Sequence, residues 1–90
     1  MVMSKIPVYF MPGLAASPTI FENIKLPEDQ FEMHFLEWFL PNDKESIESY
    51  ALRMTEKIQD ENPVLVGVSF GGILVQEMAK HFKTQKVIII

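Results

Sequence analysis

Hydrophobic runs and amphipathic stretches alternate along the chain, and the runs give the positions of the predicted strands. Four runs are short, rich in β-forming residues and bounded by turn residues, as buried strands are. They lie at residues 6–11, 31–38, 63–66 and 86–90. The last run has no alternating polar positions, which is typical of a parallel strand with both faces covered.

The stretches between the runs predict helices. Ser17-Pro18 is typical of a helix N-cap followed by the first helical residue, and the helix that it opens ends near Lys25. Hydrophobic residues recur at helical spacing over residues 46–58, which predicts an amphipathic helix of about four turns. A third helix, over residues 72–82, precedes the last strand.

The predicted fold class is therefore α/β. With a helix between each pair of consecutive strands, right-handed crossovers give a four-stranded, mostly parallel sheet with helices on both faces, which is a three-layer arrangement. Residues 1–90 form one domain at most, because a chain of 90 residues buries a single modest core.

Composition and charge narrow the classes of function. The chain has no cysteine, which excludes a disulfide framework and thiol catalysis. The net charge is −4 with scattered basic residues, so we expect no nucleic-acid partner, and no apolar stretch is long enough for a membrane span. No metal-ligand spacing or cofactor motif appears, so no metal and no cofactor are expected. The segment from Met1 to Lys5 lacks the features of a signal peptide, which favours a cytoplasmic protein.

One short motif points to chemistry. The third strand is followed by Gly67-Val68-Ser69-Phe70-Gly71, which reads G-x-S-x-G and leads directly into a helix. A strand that turns sharply into a helix at this motif is a nucleophile elbow, which lifts the serine hydroxyl above the sheet. Side chains at positions 67 and 71 are expected to collide with the strand and helix on either side. The alternative is a glycine-flanked serine in an ordinary tight turn.

Together with the turn Pro12-Gly13-Leu14 after the first strand, this motif resembles the first half of an α/β-hydrolase, from that family's third strand to its sixth. The similarity covers essentially the whole chain and implies the strand order 2-1-3-4. It also implies that Ser69 is the nucleophile and that the backbone N–H groups of Leu14 and Phe70 form an oxyanion hole. The glycines implied to shape the elbow are Gly67, Gly71 and Gly72.

The resemblance implies a serine acyl hydrolase of the esterase, lipase or thioesterase kind, acting on a small-molecule ester or thioester. In the family the acid and the histidine of the triad follow the sixth strand, and no residue of this chain lies there. His34 precedes the serine, and His81 is expected about 18 Å along the elbow helix. We therefore expect these ninety residues to be a nearly inactive fragment.

Other interpretations of the same residues remain open. The chain is alternatively a non-catalytic fragment or binding module that self-associates through its last strand, which passes through Val87 and ends at Ile90. Trp38 and Phe39 either cap the core or line an acyl pocket. The acidic residues without a histidine partner are expected to be solvated; they are Asp43, Asp60 and Glu61.

Overall fold

The computed structural model describes residues 5–14 and 16–90. Residues 1–4, on which the signal-peptide expectation depends, and Ala15 in the turn after the first strand lie outside the described residues. The elements are β1 (Ile6–Met11), a 3₁₀ helix (Pro18–Phe21), β2 (Phe31–Phe35), α1 (Ile47–Thr55), β3 (Val64–Gly67), α2 (Phe70–Met78) and β4 (Lys86–Ile89).

The four strands form one parallel sheet in the order β2-β1-β3-β4. This confirms the predicted fold class and strand order. The register pairs Met11 with Gly67, so β1 and β3 end side by side at the centre of the sheet. The turn at residues 12–14 therefore lies beside the turn that holds Ser69.

Both α-helices pack on the same side of the sheet, which we call the helix-covered face. This face carries Tyr9 and Met11 of β1 and Leu65 of β3. Helix α1 contributes Tyr50, Ala51 and Met54, and α2 contributes Leu74, Val75 and Met78. Seven residues of this cluster are 0% exposed; they are Met11, Ala51, Met54, Leu65, Leu74, Val75 and Met78.

Among the described residues, the opposite side of the sheet, which we call the open face, is covered by the 3₁₀ helix and the loop that follows it. Phe21 packs there onto Val8, Phe10 and Val66. Beside this cluster runs an apolar groove of about 490 Å³ that reaches Ile88 of β4. The third layer is therefore present but much thinner than the layer formed by α1 and α2.

The prediction of an α-helix ending near Lys25 was wrong. Ser17 does act as an N-cap, since its hydroxyl accepts a hydrogen bond from the N–H of Thr19 at 3.1 Å. However, only one 3₁₀ turn follows, and Ile20 is exposed instead of lying with Phe21 on a buried side. The stretch is shorter than isolated helices need, contains β-branched residues and is stopped by Pro27.

The other two helices are shorter than predicted. Helix α1 begins after its N-cap Ser46 as expected, but it ends at Thr55, and Ile58 packs against the core from a turn. Hydrogen bonds of the i to i+3 type, such as Ile58 N–H to the carbonyl of Thr55 at 3.0 Å, tighten the chain there. Helix α2 ends at Met78, so His81 lies beyond its carboxyl end and not on it.

The expectation that β4 is covered on both faces was also wrong for the residues that the structure describes. Ile88, Ile89 and Ile90 are 40%, 52% and 67% exposed. The strand is the last of the sheet, with β3 on one side and no described strand on the other. Its continuous hydrophobic run therefore does not reflect burial within this part of the chain.

None of the helices in the described ranges is long and apolar enough to cross a membrane.

Candidate active site

The turn between β3 and α2 holds Ser69 in an unusual backbone conformation. Its φ and ψ are 54° and −122°, outside the regions that residues with a side chain normally occupy. Such a conformation costs on the order of 1–3 kcal/mol and persists only when the surrounding structure enforces it. The hydrogen bonds and close contacts around Ser69 provide that enforcement.

Backbone hydrogen bonds to neighbouring segments hold the turn. The N–H of Val68 donates to the carbonyl of Met11 at 3.1 Å, and the N–H of Ser69 donates to the carbonyl of Ile90 at 3.0 Å. The N–H of Gly72 then donates to the carbonyl of Ser69 at 2.9 Å. The serine is thus fixed from β1, from β4 and from the first turn of α2.

The glycines of the motif let these elements approach more closely than side chains allow. A Cβ on Gly67 would lie 2.6 Å from the Cα of Gly72, and a Cβ on Gly71 would lie 2.5 Å from the carbonyl oxygen of Met11. Both obstacles are backbone atoms, which cannot turn aside. A Cβ on Gly72 would instead meet a side-chain methyl group of Ile89 at 2.6 Å.

The hydroxyl of Ser69 is not used to cap the helix. Serine at an N-cap position usually accepts a hydrogen bond from the second or third N–H of the helix, as Ser46 does for α1 at 3.1 Å. Ser69 makes no such bond, and it is exposed. If the motif were an ordinary tight turn, neither the strained backbone conformation of Ser69 nor its exposed hydroxyl would have a structural role.

The two candidate oxyanion donors belong to neighbouring turns. Phe70 is the first residue of α2, so its N–H has no acceptor within the helix and lies at the positive end of the helix dipole. No acidic side chain occupies that first turn. The backbone hydrogen bonds of the described residues include none donated by Leu14, which is 61% exposed. Leu14 and Phe70 line the same groove.

Trp38 supports both turns, a role that the sequence did not reveal. Its indole Nε1–H donates to the carbonyls of Pro12 at 3.0 Å and Gly13 at 2.8 Å. Its ring meets the ring of Phe70 edge-on, with centroids 5.7 Å apart. Trp38 also packs against the core of the helix-covered face. Because the partners are about 25 positions away along the chain, no local pattern could have shown the contact.

An apolar groove of about 540 Å³ opens beside these turns. We call it the elbow groove. Its walls include Leu14 and Phe70 at the turns, Trp38 and Leu40 after β2, and Ile47 at the start of α1. Trp38 and Phe39 thus pack against the core and line a groove at the same time.

At the wall of the elbow groove, Arg53 and Glu45 form a bidentate ion pair with nitrogen-to-oxygen distances of 2.6 and 2.8 Å. Hydrogen bonds from Arg53 lower the pKa of the Glu45 carboxyl from 4.5 to about 2. The guanidinium also lies 4.4 Å from the centre of the Phe39 ring. The pair therefore fixes the segment after β2 to helix α1.

Neither histidine of the chain is placed to activate Ser69. His34 lies on β2, where its Nε2 is 2.7 Å from Glu32 Oε1 and its ring stacks on Tyr9 with centroids 4.5 Å apart. His81 is exposed and follows α2, a helix about 13 Å long that begins beside Ser69. The described residues therefore supply no histidine base for the serine.

One cluster of ionisable groups was not expected from the sequence. Glu32, His34 and Asp60 lie within 4.8 Å of one another through their ligand atoms and could hold a metal ion. Asp60, expected to be solvated, accepts a 2.6 Å hydrogen bond from the hydroxyl of Tyr9. Burial, together with this bond, raises the pKa of Tyr9. Sequence spacing missed the cluster because Asp60 comes from the loop after α1.

No family model matches the chain, and no curated protein or solved structure matches it.

Proposed function

We propose that this chain carries the nucleophile and the oxyanion hole of a serine acyl hydrolase that cleaves a small-molecule ester or thioester. The observation that carries the proposal is the conformation of Ser69, which the fold holds at φ 54° and ψ −122° between a strand and a helix without using its hydroxyl as a cap. Strained residues of this kind cluster at functional sites. The proposal agrees with the resemblance to α/β-hydrolases that the motif and the strand order carry.

The residues have distinct roles in the proposed reaction. The Ser69 oxygen attacks the carbonyl carbon of the substrate while its proton passes to a base. The N–H groups of Leu14 and Phe70 stabilise the negative charge that develops on the carbonyl oxygen. In comparable sites, removal of one such donor raises the activation free energy by about 3 kcal/mol. Collapse of the intermediate releases the alcohol or thiol, and water then cleaves the acyl-enzyme.

The described residues do not supply the base for this reaction. Under the proposal, the acid and the histidine come from sequence beyond Ile90 or from another chain. Loss of the triad histidine lowers turnover on the order of 10⁶-fold in a comparable enzyme. We therefore expect the ninety residues alone to be nearly inactive, and we expect the complete protein to act in the cytoplasm.

The test compares a form of the protein extended beyond Ile90 with its Ser69→Ala variant on short-chain p-nitrophenyl esters. Hydrolysis is expected from the extended form, with a loss on the order of 10⁶-fold in the variant. Ser17→Ala, at an exposed serine outside the site, should hydrolyse the esters at the unchanged rate. Equal rates for the extended form and Ser69→Ala would show that Ser69 is not the nucleophile.

A second candidate function is self-association, which the exposure of β4 favours. Ile88, Ile89 and Ile90 are all at least 40% exposed, and the outer edge of β4 pairs with no described strand. Such an edge is a template for pairing with another copy of the chain. Light scattering at increasing concentration should then show a dimer that Ile89→Lys abolishes. A monomer at every concentration would contradict this function.

A further inference from the structure

We propose that the elbow groove binds the apolar acyl chain of the substrate. This inference rests on the proposed function, since it names the substrate group that would be held beside Ser69. The groove volume of about 540 Å³ lies within the usual range for small-molecule sites. Its position, its chemistry and its exposed walls each support this assignment.

The elbow groove is continuous with the candidate oxyanion hole. Leu14 and Phe70, whose N–H groups are the candidate donors, both line it. Trp38 joins them, because its Nε1–H binds the carbonyls of the turn before Leu14 and its ring contacts Phe70. A carbonyl group held by the two N–H donors would therefore have its substituent beside these apolar walls.

The polar atoms in the walls already have partners within the protein. The hydroxyl of Tyr50 donates to the carbonyl of Phe39 at 2.6 Å and accepts from the N–H of Phe39 at 2.8 Å. The hydroxyl of Ser46 accepts from a backbone N–H of α1 at 3.1 Å. A hydroxyl or amide group of a ligand would find few partners there to replace its lost water.

The one charged side chain in the walls is also satisfied. Both carboxylate oxygens of Glu45 accept from Arg53, and they also accept from the N–H of Asn42 and the hydroxyl of Ser49, each at 2.9 Å. The Arg53 guanidinium is committed to this pair and to Phe39. The elbow groove thus selects for apolar groups and against charged or sugar-like ones.

Several apolar walls of the groove remain exposed. Leu14, Leu40 and Phe70 are 61%, 89% and 37% exposed, and Ile47 is 37% exposed. An alkyl chain lying along them removes from water both its own apolar surface and that of the groove walls. This favours binding in proportion to the chain length. The groove of the open face has a similar volume but is lined by no residue of the turns at 12–14 or 67–72.

Binding can be measured on the ninety-residue chain itself, without catalysis. Trp38 is the only tryptophan and lines the elbow groove, so its fluorescence reports on a ligand there. The probes are neutral amides of increasing length: butanamide, hexanamide and octanamide. We expect the dissociation constant to fall about fourfold for each added methylene. Succinamic acid, which carries a carboxylate in place of the terminal methyl group of butanamide, should not bind.

Two variants matched in exposure locate the site. Ile47→Gln places a polar group in the elbow groove at the first residue of α1, and we expect it to weaken octanamide binding at least tenfold. Ile88→Gln makes the same change in the groove of the open face, where the side chain is 40% exposed, and should leave binding unchanged. Unchanged binding in Ile47→Gln, or loss of binding in Ile88→Gln, would overturn the proposal. An absence of any chain-length dependence would overturn it as well.

The chain-binding and nucleophile proposals can fail separately. Ser69→Ala leaves the groove walls intact and should bind octanamide as the unchanged chain does. If Ser69→Ala does not slow ester hydrolysis by the extended form while octanamide binding persists, the nucleophile proposal fails alone. If hydrolysis depends on Ser69 but octanamide does not bind, the acyl-chain proposal fails alone.

Discussion

On the helix-covered face, Met54, Leu74 and Met78 pack onto Met11 and Leu65 until none of the five side chains is exposed. On the open face, a single 3₁₀ turn brings one aromatic side chain onto the sheet and leaves an apolar groove beside it. The same four strands thus have a complete core on one side and a partial one on the other. The elbow lies where β3 meets α2 of the complete side.

This contrast shows how the fold can hold a strained residue. The conformation of Ser69 costs free energy locally, and the packing of α2 against β1 and β3 has to offset that cost. A rigid, fully packed backing also limits the movement of the candidate oxyanion donor on Phe70. The partly covered face offers no such support, and it holds none of the candidate site residues.

The largest expected effect comes from filling a close backbone contact on the helix-covered face. Gly71→Ala places a Cβ 2.5 Å from the carbonyl oxygen of Met11, and neither backbone can move aside. We expect a loss of more than about 3 kcal/mol in the free energy of unfolding, at the upper end of overpacking effects. Urea unfolding followed by far-UV circular dichroism and Trp38 fluorescence measures it.

Gly72→Ala is the matched control for that substitution. Its Cβ meets a methyl group of Ile89, a side chain that is 52% exposed and can turn into solvent. The cost should be below about 1 kcal/mol, close to the usual range for surface changes. If both alanine variants are equally stable, the backbone contact at Gly71 does not constrain the fold.

The next largest effect compares a buried side chain of the helix-covered face with a partly exposed one of the open face. Leu74→Ala removes a fully buried side chain from the helix-covered face and should cost about 3 kcal/mol, because a cavity is left in a closed core. Ile88→Ala removes a side chain that is 40% exposed at the open face, and it should cost no more than about 1 kcal/mol. Similar midpoints of thermal unfolding for the two variants would contradict the difference between the faces.

The smallest expected effect concerns the ion pair that fixes α1 at the rim of the helix-covered face. Because the pKa of Glu45 falls from 4.5 to about 2 on folding, its contribution to stability is complete above about pH 4.5 and is lost as the pH falls through about 2. Glu45→Gln should therefore lower the melting temperature at pH 7, with a difference that disappears near pH 2. Glu28→Gln, at an exposed position, controls for the loss of one negative charge. A difference that stays constant with pH would contradict the linkage.

Elements that depend on local patterns could be predicted from the sequence. The presence of four strands, the N-caps Ser17 and Ser46, and the need for glycine at positions 67 and 71 follow from hydrophobic runs, turn residues and steric limits. The order of the strands was expected only from the resemblance to α/β-hydrolases, and not from these local patterns. The prediction of an α-helix after Ser17 was wrong because helix propensity alone does not stabilise so short a stretch.

Features built from distant residues could not be predicted in the same way. The bonds from Trp38 to the turn after β1, and the bond from Tyr9 to Asp60, join segments that only the folded sheet brings together. The elbow groove likewise depends on where the segment after β2 lies relative to α1 and the two turns. The preference of this groove for apolar groups follows from the hydrogen bonds that satisfy its polar atoms, and the sequence does not show those bonds.

The hydrogen bond from the N–H of Ser69 to the carbonyl of Ile90 has a consequence for the order in which the molecule can be assembled. A ribosome delivers the chain from its amino end, so Ser69 emerges well before β4 is complete. The serine turn cannot gain this bond until β4 has docked along β3. A partly synthesised chain that stops short of β4 would therefore lack one of the backbone bonds that hold the serine turn, and the turn would be complete only after β4 has docked.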